Sequence, residues 1–294
     1  MGYLFIVLAV AANAAKGASS KFVSGKIATT RQNALFNFAR NILCAAFALI
    51  TVFIADRGNF FTVYSIEILL CGISGAAMAL FTFCWIFAVK SDAYMLVSAC
   101  SSASFIIPCV FGFLLLKETL TFTKLIAFFI IVVALFFLLR HNFALKGKIT
   151  LPQAILLLLV FFTSGINQAM QKIYAVNITD KNVAYYTFYT FSFAALILIF
   201  AIPFIKRDAS KECGFLVIKN SGYLLVMAVG NFLSTYFQGI AAKSVDSIIL
   251  YPVLNALSLI AGSLMSSLLF KEKLTKSCFI GLILVFSALI LSRL

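Results

Sequence analysis

The sequence predicts an all-α membrane protein whose ten transmembrane helices form an inverted five-plus-five repeat, and three observations predict it. The first is composition: hydrophobic residues fill 63% of the 294 positions and charged residues only 11%, with mean hydropathy +1.10. Soluble domains carry about a quarter charged residues. The second is a set of long runs without charge, such as Tyr94 to Leu116 and Ile248 to Phe270. These reach the ~20 residues a helix needs to cross ~30 Å of hydrocarbon, and the alternating ~10-residue segments of a transmembrane barrel are missing. The third is an internal repeat. Leu114-Leu115-Leu116-Lys117-Glu118-Thr119-Leu120-Thr121 returns as Leu268-Leu269-Phe270-Lys271-Glu272-Lys273-Leu274-Thr275, and Asn13 corresponds to Asn167, both at a separation of 154 positions. Ala88-Val89-Lys90-Ser91 likewise returns as Ala241-Ala242-Lys243-Ser244.

Charge clusters and Gly/Asn/Pro punctuation divide the chain into spans of about 1–16, 32–54, 64–89, 92–116, 122–140, 151–174, 182–205, 218–241, 245–270 and 276–293. The first is apolar from its opening residues, with no basic segment before it and no small-residue cleavage site after it. It reads as a span rather than a removed signal peptide. The second holds Arg40 between Asn37 and Asn41, and the third ends close to Trp85, the single tryptophan. The fourth and ninth contain Pro108 and Pro252, which lack a backbone donor and loosen the helical ladder. The fifth and tenth follow the two Lys-Glu-x-Leu-Thr copies and end at Arg140 and Arg293. Each half has five spans, and tandem copies with an odd number of crossings sit in opposite orientations. The predicted units are residues 1–140 and 151–294, joined by the connector 141–150.

Lys and Arg are unevenly shared between the two sets of loops. Loops after the odd-numbered spans hold Lys16, Lys21, Lys26, Arg31, Lys90, Arg140, Lys146, Lys148, Lys206, Arg207, Lys211, Lys219, Lys271, Lys273 and Lys276. The other set holds Arg57, Lys117, Lys124, Lys172, Lys181, Lys243 and Arg293. The excess of cytoplasmic Lys and Arg in membrane proteins therefore predicts both termini outside. The same loops account for the net charge of +14 through lipid head groups, without nucleic acid.

Several chemistries are excluded. Cys44, Cys71, Cys84, Cys100, Cys109, Cys213 and Cys278 are scattered, with no CxxC and no paired histidine, so they read as free apolar residues and no metal is expected. His141 is the only histidine. HExxH, Gly-x-Ser-x-Gly, Walker and Asp-rich motifs are absent, so neither an enzyme nor a cofactor is predicted. All nine acidic residues fall at or near span ends, with Glu67 the closest to a span interior. Proton exchange through a central carboxylate is therefore unsupported, and a neutral, zwitterionic or anionic substrate is expected.

Polar residues inside spans are costly in a bilayer and usually face a cavity or another helix. Asn167, Gln171 and Tyr174 share one helical face, Asn13 and Lys16 lie three apart in the first span, and Asn231, Thr235 and Gln238 form a stripe. Tyr251, Asn255, Ser258 and Gly262 recur at spacings of four, three and four, with Tyr94 and a run of serines in the corresponding fourth span. The candidate substrate-binding residues are Asn13, Lys16, Arg40, Trp85, Tyr94, Asn167, Gln171, Asn231, Gln238, Tyr251 and Asn255. Small and polar residues also let helices pack closely, and for the serines that reading is preferred. Arg40 is equally suited to an anionic group of a substrate or to capping a helix pair.

Ten spans as five plus five, Ile107-Pro108 followed by Leu114 to Thr121, and Leu268 to Thr275 followed by Gly281 resemble the EamA-type members of the drug/metabolite transporter superfamily. Lys16 or Lys21 followed by Arg40 resembles the family's Lys at the end of span one and Arg early in span two. The resemblance covers essentially the whole chain, although Gly262 stands where the second proline would be, and Ala11-Ala12-Asn13-Ala14-Ala15 replaces the family's usual segment in span one. It implies a secondary transporter working by alternating access, with both termini cytoplasmic, opposite to the loop charges. The expected partners are a small-molecule substrate and the lipid bilayer, with a homodimer left open. The expected function is efflux of a small metabolite or drug-like solute across the plasma membrane of a prokaryote. A flippase for a lipid or lipid-linked sugar, and a non-transporting receptor or assembly subunit, are the alternatives.

Overall fold

The computed structural model describes residues 2–27, 29–55, 63–90, 94–118, 121–143, 151–205 and 219–270, and beyond those 280, 283–284, 287–288 and 290–291. The described residues are helical, with no strand among them. In chain order the helices are α1 (Gly2–Ser24), α2 (Thr30–Ala55), α3 (Ser65–Lys90), α4 (Tyr94–Ala103), α5 (Ile106–Leu114), α6 (Phe122–Phe143), α7 (Leu151–Asn177), α8 (Val183–Ala201, followed by the 3-10 turn Ile202–Phe204), α9 (Ser221–Ala242) and α10 (Ser247–Phe270). α1, α2, α3, α7, α8 with its 3-10 turn, and α9 are long and apolar enough to cross a membrane. Shorter apolar stretches lie at Cys100–Leu114, Phe122–Ala134 and Ser247–Ala261. Of the predicted connector 141–150, residues 141–143 continue α6, and residues 144–150, like the second Lys-Glu-x-Leu-Thr copy, lie outside the described residues.

The first nine predicted spans find their helices, with two informative differences. α1 runs eight residues past Lys16, so Lys16 lies about 12 Å inside its C-terminal end, at a rise of 1.5 Å per residue, rather than on the boundary. The fourth span is broken into α4 and α5 at Ser104 and Phe105. Pro108 is the cause. A proline offers no N–H to the carbonyl four residues back and its ring crowds that carbonyl, which belongs to Ser104. The freed groups are satisfied locally: Ile107 N donates to Ser104 O at 3.1 Å and Ser104 Oγ donates to Ser101 O at 2.6 Å. Pro252 instead sits within an unbroken α10.

The principal helix contacts recur on exchange of the two halves. α1 packs on α9 as α3 packs on α7, α3 on α8 as α2 on α9, and α1 on α10 as α7 on α4 and α5, while α2 packs on its own counterpart α8. α1 and α9 approach closely because α9 offers Gly230 at the crossing. A Cβ there would lie 2.9 Å from Ala12 O and 3.2 Å from Lys16 Cβ. Many exposed large side chains are apolar, among them Leu4, Ile54, Leu69, Phe122, Leu158 and Phe200. That is the reverse of a soluble surface and suits lipid contact.

Candidate functional site

Helix ends gather on two faces. The start of α1, the end of α2, the start of α3, the end of α5, the start of α6, the end of α7, the start of α8, the end of α9 and the start of α10 share one, here called the terminal face. Three ion pairs cross from the first half to the second there: Lys124 to Asp246 at 2.6 Å, Lys172 to Glu118 at 3.2 Å, and Lys181 to Glu67. Glu67 is fully buried, and its carboxylate also accepts the Tyr174 hydroxyl at 2.8 Å. Lys181 sits over the rings of Tyr64 and Tyr185 at 4.8 and 5.3 Å. Glu118 further accepts from Ser247 N and Oγ at 2.9 and 3.0 Å. Lys172 donates to the carbonyl of Ala242, the last residue of α9, and to that of Val245 in the turn before α10. At the rim, Tyr64 donates to Asp180, which raises the phenol's pKa because ionisation would forfeit that bond. Lys243 donates to the carbonyls of Thr179 and Lys181, and its pKa is lowered by desolvation, opposed by Asp180.

A second cluster lies between α1, α2 and α9, deeper in the molecule. Lys16 Nζ donates to Asn231 Oδ1 at 3.2 Å and lies within range of the Arg40 charge. Asn231 Nδ2 reaches only the Cys44 sulfur, at 3.9 Å. Arg40 is 5% exposed, and its Nε and Nη2 have no hydrogen-bond partner. It lies ten residues into α2, about 15 Å from the helix start, too deep to act as an interfacial cap. Asn37 and Asn41 are fully buried beside it on the same stripe of α2. Asn37 Nδ2 donates to Asn33 Oδ1 and to the Thr82 carbonyl, while Asn37 Oδ1 and both amide atoms of Asn41 have no partner. The described carboxylates, Glu67, Glu118, Asp180 and Asp246, all belong to the terminal face. Among the described residues, then, no acid answers Lys16 and Arg40. Burying charge without compensation is expensive, so this cluster is arranged for something that arrives from outside.

The candidate residues from the sequence divide between this cluster and the helix contacts around it. Lys16, Arg40 and Asn231 come together, with Asn13 half-buried one turn before Lys16 on α1. Asn167 Oδ1 accepts from Ser74 Oγ at 3.2 Å, and Ser74 in turn shares a 2.6 Å bond with the Tyr186 hydroxyl. Gln171 donates to Thr235 O at 2.7 Å, Tyr251 to Gln168 O at 2.8 Å, and Asn255 to Ser102 O at 2.9 Å. Each of those three side chains ties one helix to another helix's backbone. Gln238 is half-buried on α9. Trp85 stacks at a tilt on Phe81, centroids 5.4 Å apart, and packs against the apolar clusters of Phe36 and Val97. The side chain of Tyr94 lies outside the described residues. The sequence did not single out Asn33, Ser74, Tyr186 or the ion-pair partners of Glu67 and Glu118. Lys172 and Lys181, counted as loop charges, are buried ion-pair members.

Comparison with known proteins gives the family. No match was found among curated protein sequences. One solved crystal structure superposes with a TM-score of 0.67 over 99% of this chain and 94% of its own length, at 14% identity. That likeness is one of fold. The EamA-like transporter family model matches residues 151–294, the half that carries α7 to α10. Through that half the chain belongs to the EamA-like transporter family, whose members are membrane transporters of the drug/metabolite type and not enzymes.

Proposed function

We propose that the chain is a secondary transporter that moves a small solute across the plasma membrane, in the direction of efflux, by alternating access between two inversely oriented five-helix repeats, residues 1–140 and 151–294. The observation that carries this reading is the pairing of buried Arg40 with half-buried Lys16 at the meeting of the halves, whose charges find no acid among the described residues. A static packing role would leave that cost unanswered, whereas a bound anionic or zwitterionic solute answers it. Two further features support the reading. The helix packing repeats on exchange of the halves, as it must when two copies surround a midplane site. The three cross-half ion pairs are gathered on one face, which suits a gate closed there while solute reaches the cluster from the opposite side. Asn13, Asn167, Trp85, Gln171, Gln238, Tyr251 and Asn255 then line or brace the path around Lys16, Arg40 and Asn231.

The test is counterflow in proteoliposomes loaded with a panel of amino acids, organic acids, sugar phosphates and cationic dyes. Exchange of at least one class is expected in the wild type, with loss in Asn231→Ala and retention of the wild-type gel-filtration profile. Exchange of cationic dyes alone, undiminished in Asn231→Ala, would overturn the assignment.

A further inference from the structure

The unmet groups of the cluster describe their ligand. Lys16 is joined through Asn231 to Cys44, one turn along α2 from Arg40, and no carboxylate among the described residues stands beside the two cations. Arg40 retains two free donors in its planar fork, the geometry that grips an oxyanion. Next to it on α2, Asn37 Oδ1 and Asn41 Oδ1 are buried acceptors with nothing to accept, and Asn41 Nδ2 is a buried donor with nothing to receive it. An α-amino acid fits poorly: its carboxylate balances one of the two charges, and its ammonium adds a third cation where no acid faces it. An unsubstituted dicarboxylate balances the charge but brings no donors for the two amide oxygens. A phosphate monoester carrying hydroxyl groups does both.

We infer that Lys16, Arg40, Asn231, Asn37 and Asn41 form the binding site for a small hydroxylated phosphate monoester, the dianionic head on the two cations and the hydroxyls on the amides of α2. This deepens the transport reading and rests on it only for the statement that the ligand is cargo. The head group has two sources, a soluble ester or a phospholipid.

The experiment uses the purified full chain and reads binding and movement separately. Binding is followed by thermal midpoint and by calorimetry, with glycerol 3-phosphate, inorganic phosphate, succinate, glycerol and alanine as probes. Glycerol 3-phosphate is expected to bind tightest, inorganic phosphate and succinate about tenfold weaker or more because the amide oxygens stay unmet, and alanine and glycerol to give no shift. Lys16→Met and Arg40→Met are each expected to lose the glycerol 3-phosphate shift. Arg40→Met is further expected to keep or raise the unliganded midpoint, since it deletes a buried unpaired charge; an arginine with a structural role would lower it. Alanine or succinate binding as tightly as glycerol 3-phosphate, no binding of either phosphate, or a shift that persists in Lys16→Met overturns the proposal. Nanodiscs with phosphatidic acid separate the sources. Displacement of glycerol 3-phosphate by that lipid assigns the head group to a phospholipid, and its persistence assigns it to a soluble ester. Counterflow then separates the two readings: glycerol 3-phosphate bound but never carried sinks transport and leaves the ligand class standing, and alanine carried sinks the ligand class and leaves transport standing.

Discussion

Glu67→Gln is the most informative single change at the terminal face. The amide keeps an acceptor for the Tyr174 hydroxyl, so the variant removes charge and little else. What remains is the Lys181 ammonium, 5% exposed, with the rings of Tyr64 and Tyr185 beneath it. Removing one partner of a buried ion pair costs about 3–5 kcal/mol, and each ring returns about 0.5–1 kcal/mol. The arrangement closed at this face therefore loses about 1–4 kcal/mol relative to one in which Lys181 meets water. At 1.4 kcal/mol per tenfold, the open population rises by roughly 5- to 700-fold. The assay is maleimide labelling of a single cysteine at Ile178, buried beside the pair, in a background lacking the native cysteines. Labelling is expected to accelerate strongly in Glu67→Gln and to return to the parent rate in Glu67→Leu with Lys181→Met, because a well-packed apolar pair closes as well as an ionic one. A labelling rate within about twofold of the parent, with unchanged thermal stability, would refute the role of the pair as a closure.

Three further outcomes follow from particular contacts. Gly230→Ala places a Cβ against Ala12 O and Lys16 Cβ and should cost about 1–3 kcal/mol, read as a lowered thermal midpoint together with slower counterflow. Ser247→Ala removes one of two bonds to Glu118 and should cost about 1 kcal/mol, whereas Glu118→Ala leaves Lys172 buried without its acid and should cost about 3–5 kcal/mol; denaturant titration separates them, and equal effects would contradict the pairing. Asn255→Ala loses a single bond to the Ser102 carbonyl, so stability should fall by about 1 kcal/mol while ligand Kd stays unchanged.

Spans were legible because hydrocarbon thickness and charge placement constrain sequence directly. The break between α4 and α5 was half legible: Pro108 announces a disturbance, but its position at Ser104 follows from the i−4 carbonyl, and Pro252 shows that the same residue type is also accommodated in an unbroken helix. Lys16 was placed at a span end because apolar character stops there. The small residues Gly17, Ala18, Ser19 and Ser20 that follow it carry little hydropathy and still continue the helix. Arg40 stood out as a charge out of place, and Asn37 and Asn41 beside it carried the remainder of the signal. The partners of Glu67 and Glu118 had no local signature. Glu67 and Lys181 are 114 residues apart, and only the docking of one half on the other brings them together. Asn255 and Gln171 looked like cavity residues from their spacing, yet a stripe of amides on a helix face serves a cavity and a neighbouring backbone equally well, and here each donates to a carbonyl.

The most direct test of alternating access is counterflow in a chain whose terminal face is held shut. Lys124 and Asp246, joined across the halves at 2.6 Å, are replaced by cysteines in a background lacking the native ones and bridged with a short bis-maleimide. Bridging is expected to abolish counterflow, with full activity retained when each single-cysteine variant is treated alike. Undiminished counterflow in the bridged protein would contradict the account.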